Sequence, residues 1–249
     1  MKRYCLYLFI LIGISCSAEL KAQKNGTVYK GNDPAVRYTG RTLVSSDGSV
    51  AFDWVGTYLE TRFTGGKLSV KVSETGTSYY NVFVDGKLHK VVKVCGTDTL
   101  IHLVSGIDKR IHSLKIQKRS EGEFGKTTVH QFVLSGSGRL AEELAVRTRH
   151  IEFIGNSLTC GYGTDGKHRD EPFLVETENT LIAHSGRGAA RNYGDSVRVS
   201  KVTMKDRMLN TFDEDLTHKW NFKEYRPDLV VINLGSNDFS TEPHPYKSE

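Results

Sequence analysis

Three short loops in this chain hold the residue types that acyl transfer needs: "GNSLTCGYG" from Gly155, "SGRGAARNYG" from Ser185 and "GSNDFS" from Gly235. Acyl transfer requires a nucleophile on a sharp turn and hydrogen-bond donors aimed at the oxygen that becomes negatively charged. Ser157 supplies a hydroxyl and, if it opens a helix, its own N–H. Gly186 offers a backbone N–H with no side chain in the way. Asn237 offers a side-chain NH₂. Any one of these loops alone is an ordinary turn. Together, each behind an apolar run, they point to one crevice, because ligands of open parallel sheets gather at the carboxyl ends of the strands.

The runs before the loops are "HIEFIG", "TLIAHSG" and "DLVVINLG". The first and third are nearly continuous apolar stretches, as parallel strands covered on both faces require, and the second is a weaker example. Between the second and third, "SKVTMKDRMLNTF" spaces Val202, Met208, Leu209 and Phe212 roughly as one face of a helix. Strands alternating with helices imply an α/β layer fold from about Arg147 onward. Upstream, from Tyr38 to Leu134, the chain reads as β throughout. "SVAFDW", "YLETRF" and "KLSVKV" alternate with period two, and Asp85-Gly86 divides two such runs as a hairpin turn does. Many short strands between turn residues imply a sandwich or jelly roll. "SGRLAEELAVRT" is polar enough to link the halves.

The chain has 249 residues, 38% hydrophobic and 25% charged, with a formal charge of +5. The first 22 residues carry +2 of that, and no dense Lys/Arg run follows, so nucleic acid is not an expected partner. The first 22 residues read as a signal peptide: a basic start, an apolar stretch from Leu6 to Ile14, then small residues, with cleavage after Ala18 or Ala22. "GISC" gives Cys16 a second route, as a lipid anchor, although Gly13 stands where lipoprotein signals carry a larger aliphatic residue. Export to the periplasm or beyond is the expectation. Removal of the signal leaves Cys95 and Cys160, read as two small buried hydrophobes. His89, His102, His112 and His130 lie at strand-like positions and read as surface or half-buried side chains without metal-ligand spacing. Phe52, Trp54, Tyr79 and Tyr80 read as packing residues in preference to a sugar platform.

"FIGNSLTCGYG", "SGRG" and "INLGSNDFS" resemble the first three blocks of the SGNH (GDSL-type) hydrolases. The resemblance is closer still to carbohydrate esterase family two, the acetylxylan-esterase-like members. "DGSVAFDWVGTYLETRF", "VFVDG" and "IQKRSEGEFG" resemble the jelly roll that precedes the hydrolase domain in that family. It implies two domains, a β-sandwich over residues 24–140 and an SGNH hydrolase domain over 148–249. It implies Ser157 as nucleophile, Gly186 and Asn237 as partners in an oxyanion hole, no cofactor and no metal. The implied substrate is an O-acetylated polysaccharide or oligosaccharide.

The chain departs from that pattern in three places. Asn156 stands where the family carries Asp. The polar stretch "TDGKHRDEPFLVETEN" offers no helix to cover the first crossover, as if roughly twenty residues were missing. No histidine follows the third block at the expected distance: His244 is too close, and Asp215–His218, "DLTH", precedes it. The expectation is an esterase sequence truncated at its C-terminus and lacking its base. Two alternatives stand beside it, a carbohydrate-binding protein without catalysis and a lipase or thioesterase on other acyl esters. Oligomeric state is left open.

Overall fold

The computed structural model describes residues 26–141, 149–162, 180–223 and 226–240. The signal segment with Cys16, the stretch from Gly163 to Asn179 and His244 lie outside the described residues.

Ten strands make up the N-terminal half: β1 (Gly26–Lys30), β2 (Val36–Thr39), β3 (Leu43–Val44), β4 (Val50–Phe52), β5 (Tyr58–Thr64), β6 (Lys67–Val84), β7 (Lys87–Ser105), β8 (Ile111–Lys118), β9 (Thr127–Ser135) and β10 (Arg139–Ala141). All belong to one antiparallel hydrogen-bonded sheet, not two separate ones. β6 explains how one sheet encloses a core. Its first half pairs with β9 and its second half with β8, with register shifts against β7 between them, so the sheet curls around it. The β6–β7 turn has Asp85 at φ 51° and Gly86 at φ 75°, the two positive dihedrals of a tight I′ hairpin. Phe52, Phe63, Leu68, Phe132 and Leu134 fill the core. Of the four aromatics read as packing residues, Phe52, Trp54 and Tyr80 are buried and Tyr79 is half-buried.

Three expectations for this half need correction. β10 lies inside the stretch read as a linker, paired with β5. His112 is buried, its ring packed against Phe63, with Asp85 and Asp108 holding its two ring nitrogens at 2.7 and 3.0 Å. Cys95 is exposed on β7, whereas Cys160 is buried as expected; both are free thiols.

Among the described residues the C-terminal half has three parallel strands, β11 (Ile151–Gly155), β12 (Thr180–Ala183) and β13 (Leu229–Asn233), in the order β12-β11-β13. One face packs Cys160, Leu181 and Ala183 around Val55; the other packs Ile154, Ile182 and Met204 around Trp54. Adjacent residues of the N-terminal half thus reach both faces of the small sheet, and the two halves share a core. β13 differs from the sequence reading. Leu229, Val230, Val231 and Ile232 are all at least 36% exposed, so this strand is not covered on both faces by the described residues.

The helices are short. α1 (Ser157–Cys160) follows β11, and α2 (Met204–Arg207) replaces the longer helix read from 200 to 212. Thr203 and Asp206 form a capping box that starts α2. It ends early because Asn210 bridges to Lys219 and Thr211 donates to His218 O. Phe212 is buried as expected, while Leu209 is 45% exposed.

Candidate active site

Each strand of the small sheet ends in one of the three loops. Ser157 is the first residue of α1, and Asn156 caps it by accepting from Leu158 N at 3.2 Å. An Asn cap is as effective here as an Asp cap would be. The amide has a second use that a carboxylate would have to meet differently: Asn156 Nδ2 donates to Ser236 Oγ at 2.8 Å. Asn156 therefore ties the first loop to the third, with only 1% of its surface exposed.

The second and third loops are joined more tightly. Asp238 accepts from the backbone N–H groups of Ala189, Ala190 and Arg191 at 2.8, 2.6 and 2.9 Å. The Arg191 guanidinium also donates to the Asp238 carbonyl. Asn237 Nδ2 donates to Arg187 O at 2.8 Å. Gly188 makes this closeness feasible, since a Cβ there would stand 1.9 Å from Arg191 O and 2.5 Å from the Asp238 carboxylate. Gly186 is different. It sits at φ 74° with open space where a Cβ would be, so its glycine is required by the backbone dihedral, not by crowding. The structure thus brings Ser157, Gly186 and Asn237 onto three loops that are hydrogen-bonded to one another.

Among the described residues no side chain hydrogen-bonds to the Ser157 hydroxyl. Asp215 and His218 do form an Asp–His pair, at 2.5 Å to His218 Nδ1, but His218 is 54% exposed and packs edge-on against Phe212. It belongs to a local turn in which Asp215 also holds Thr217.

A second group of polar residues went unread in the sequence. It lies where the halves meet. Asp53 accepts from Asp213 N and Glu214 N at 2.8 and 3.2 Å. Asp213 in turn holds His184 Nδ1 at 2.7 Å and Arg207 Nη1 at 3.0 Å. Glu121 accepts from Ser185 N at 2.6 Å and from Ser185 Oγ at 2.5 Å. Lys118, fully buried, donates to Ser78 Oγ at 2.9 Å. Burial, with the Asp213 charge beside it, raises the Asp53 carboxyl to about 7. Burial lowers the Lys118 ammonium to about 8 against the pull of Glu74, Asp53, Asp213 and Glu121. Burial opposes a charge on His184 most strongly, but the Asp213 hydrogen bond, the Asp213 charge and the Glu121 charge together outweigh it and hold the imidazole above its ordinary value.

His184, Asp213 and Glu214 place ligand atoms within 4.8 Å of one another, so a cation could be considered there. Arg207 already fills that role. Its Nη1 lies 3.0 Å from Asp213 and 2.7 Å from Glu214, and the His184 nitrogen facing Asp213 is hydrogen-bonded to it. These residues come from segments as distant as 53, 121, 184 and 213. The one local signal was that His184 and Ser185 directly follow a buried parallel strand, at the place where such sheets collect polar function.

A family model of carbohydrate esterase 2 N-terminal regions matches residues 38–143, and one of GDSL-like lipases/acylhydrolases matches 151–249. The chain is 33% identical over 227 residues to the cellulase/esterase CelE of Acetivibrio thermocellus, covering 84% of this chain and 27% of that protein. It is 31% identical to an acetylxylan esterase / glucomannan deacetylase of Cellvibrio japonicus, covering 81% of this chain and 61% of that protein. The chain thus spans between about a quarter and just under two thirds of its curated relatives. A solved family two carbohydrate esterase from Clostridium thermocellum, in complex with cellohexaose, superposes with a TM-score of 0.76 at 32% identity, over 86% of this chain and 68% of that one. An active-site mutant of a family two esterase from the same organism gives the same TM-score at 31% identity. By its sequence in both halves and by its fold, this chain belongs to carbohydrate esterase family two.

Proposed function

We propose that this protein is an exported serine esterase that removes O-acetyl groups from a polysaccharide or oligosaccharide. One observation carries the reading: three loops at the carboxyl ends of three parallel strands are cross-tied by Asn156–Ser236, Asn237–Arg187 and Asp238 with the 189–191 backbone. Ser157 Oγ attacks the acetyl carbonyl, and the carbonyl π electrons move onto oxygen. Gly186 N–H, Asn237 Nδ2 and Ser157 N–H are the donors assigned to that oxygen. Collapse breaks the acetyl–sugar C–O bond, and the sugar hydroxyl leaves with a proton. Water then hydrolyses acetyl-Ser157 to acetate and restores the hydroxyl. A histidine is assigned to shuttle both protons. None of the described residues occupies that position, so the base is assigned to residues outside them, and a chain without it would keep only the catalysis of its oxyanion donors and binding, roughly 10³–10⁴-fold over water.

The test is hydrolysis of p-nitrophenyl acetate and release of acetate from acetylated xylan, compared between this chain and a C-terminally longer form. Ser157→Ala should abolish turnover in the active form. Wild-type turnover in Ser157→Ala would end the assignment.

A second reading is supported by the solved relative in complex with cellohexaose. In it, the chain binds β-1,4-linked glucan at the same loops without turnover. Calorimetry with cellohexaose separates the two: tight binding with no esterase activity in any longer form favours the second.

A further inference from the structure

We propose that Glu121, a residue of the β-rich half, is a positioning residue for the oxyanion site. By holding Ser185 through both its amide and its hydroxyl, it sets the orientation of the Gly186 N–H. This rests on the assignment of Gly186 as an oxyanion donor. The catalytic site of the C-terminal half would then be completed from the N-terminal half.

The geometry is specific. Glu121 Oε2 accepts from Ser185 N at 2.6 Å and Oε1 accepts from Ser185 Oγ at 2.5 Å, so one carboxylate takes two donors of one residue. Such a clamp fixes the Ser185 side-chain rotamer and its backbone together. Rotation about either bond breaks a charge-assisted hydrogen bond in a buried place, where Glu121 is 4% exposed. The next residue needs that help. Gly186 is in the left-handed region with open space where a Cβ would be, so no side-chain packing of its own holds its peptide. The peptide is instead held from both sides. Glu121 fixes Ser185 before it. After it, Gly186 O accepts from Tyr193 N at 2.8 Å, and Arg187 O accepts from Asn237 Nδ2 at 2.8 Å.

Glu121 is itself placed by its surroundings. Its carbonyl accepts from Phe124 N and from Lys118 Nζ. The neighbouring Gly122 lies so close to Asp213 that a Cβ would stand 2.5 Å from the Asp213 Cβ. The loop from Arg119 to Gly125 is thus pressed against the C-terminal half, and a carboxylate carried by it can reach Ser185. The residue before Ser185 is tied to the same half. His184 binds Asp213, whose N–H is held by Asp53. Two successive residues ahead of Gly186 therefore depend on the β-rich half for their placement. An N–H displaced by an ångström forfeits much of its value to a transition state, on the order of 10²-fold.

The variants are Glu121→Leu, Glu121→Gln and Ser185→Ala in the full chain. Leu removes both acceptors at similar size. Gln restores both contacts, with its oxygen accepting from Ser185 N and its NH₂ donating to the Ser185 hydroxyl. Ser185→Ala keeps the backbone bond and loses the other. With p-nitrophenyl acetate, kcat should fall roughly 10- to 100-fold in Glu121→Leu, at a KM within about twofold of wild type. Glu121→Gln should recover most of it, and Ser185→Ala should fall between. A rise in KM at unchanged kcat would overturn the proposal.

A second measurement does not need turnover. Amide exchange at Ser185 and the resonance of the Gly186 N–H should change in Glu121→Leu and return in Glu121→Gln, while Val70 and Phe132 stay as in wild type. A wild type inactive in both the forms compared above, with this amide pattern, would sink the esterase reading and leave the clamp standing. Unperturbed amides at 185 and 186 in Glu121→Leu would sink the clamp itself. If Glu121→Leu does not fold, Ser185→Ala carries both measurements, and wild-type kcat with wild-type Gly186 resonance in that variant would refute the role.

Discussion

Arg41 and Glu152 stand 111 residues apart in sequence and form an ion pair at 2.9 Å with their side chains 1% and 2% exposed. Arg41 comes from the β-rich half and Glu152 from the first strand of the small sheet. The guanidinium also donates to Met208 O and Asn210 O at 2.6 and 2.8 Å and lies against the rings of Trp220 and Phe222. A pair satisfied this fully is costly to break one partner at a time, because the other is left charged in a dry place. Arg41→Met and Glu152→Leu should each destabilise the chain by about 3–5 kcal/mol. The double variant should cost clearly less than their sum. Urea unfolding of the four proteins measures this, and additive or sub-kilocalorie effects would contradict it.

Asn156 answers a question that the motif raised. The capping oxygen and the bridging nitrogen sit on one side chain, and they hold the first loop to α1 and to Ser236. Asn156→Ala should lose about 1 kcal/mol for the cap alone, plus the bridge, and should lower esterase turnover. Asn156→Asp should retain both functions, since a carboxylate caps equally well and can accept from the Ser236 hydroxyl. Thermal melting beside p-nitrophenyl acetate hydrolysis distinguishes them. Equal losses in Ala and Asp would mean that the amide N–H, not the cap, is essential.

The three loops were legible because each is announced locally, by an apolar run and then small polar residues. The hairpin at Asp85-Gly86 was legible for the same reason, as its two positive dihedrals need those residue types. The polar junction was not. Asp53 sits in "AFDW" as an alternating polar position, and only the fold brings its carboxylate to the N–H groups of 213 and 214. His112 misled for a related reason: the Asp85 carboxylate that satisfies its buried ring lies on a hairpin turn 27 residues away. α2 was overextended because Met208, Leu209 and Phe212 suit a helical face, while the Asn210–Lys219 bridge that ends it is a tertiary contact.

Two glycines in the second loop should respond differently to the same change. Gly188→Ala puts a methyl group against Arg191 O and the Asp238 carboxylate, so the 186–191 loop must separate from the third loop. Gly186→Ala meets no atom and costs only the left-handed dihedral, about 1 kcal/mol. Melting temperatures should therefore fall much further for Gly188→Ala, and its turnover should drop with them. A larger loss in Gly186→Ala would show that the loop is held more loosely than its hydrogen bonds imply.

The junction also predicts an unusual pH profile of stability. Asp53 keeps its proton in the folded chain up to about 7, against an ordinary value of 3.8. Between those values the folded state binds a proton that the unfolded state has lost. Stability from this group is therefore full below about pH 4 and declines as pH rises through 7, with a slope of up to about 1.4 kcal/mol per unit. Lys118 acts with the opposite sign at higher pH. Its folded value is about 8 against 10.5 unfolded, so above 8 the unfolded state holds the extra proton and this contribution recovers with pH. The two groups face each other together with Asp213, Glu74 and Glu121, and their combined contribution should have its minimum between about pH 7 and 8. Asp53→Asn removes the first titration. It should flatten the decline between pH 4 and 7 in urea midpoints, and the rise should persist but begin at lower pH, because Lys118 loses the Asp53 charge that helps hold its proton. An unchanged acid limb in Asp53→Asn would assign the profile to other carboxylates.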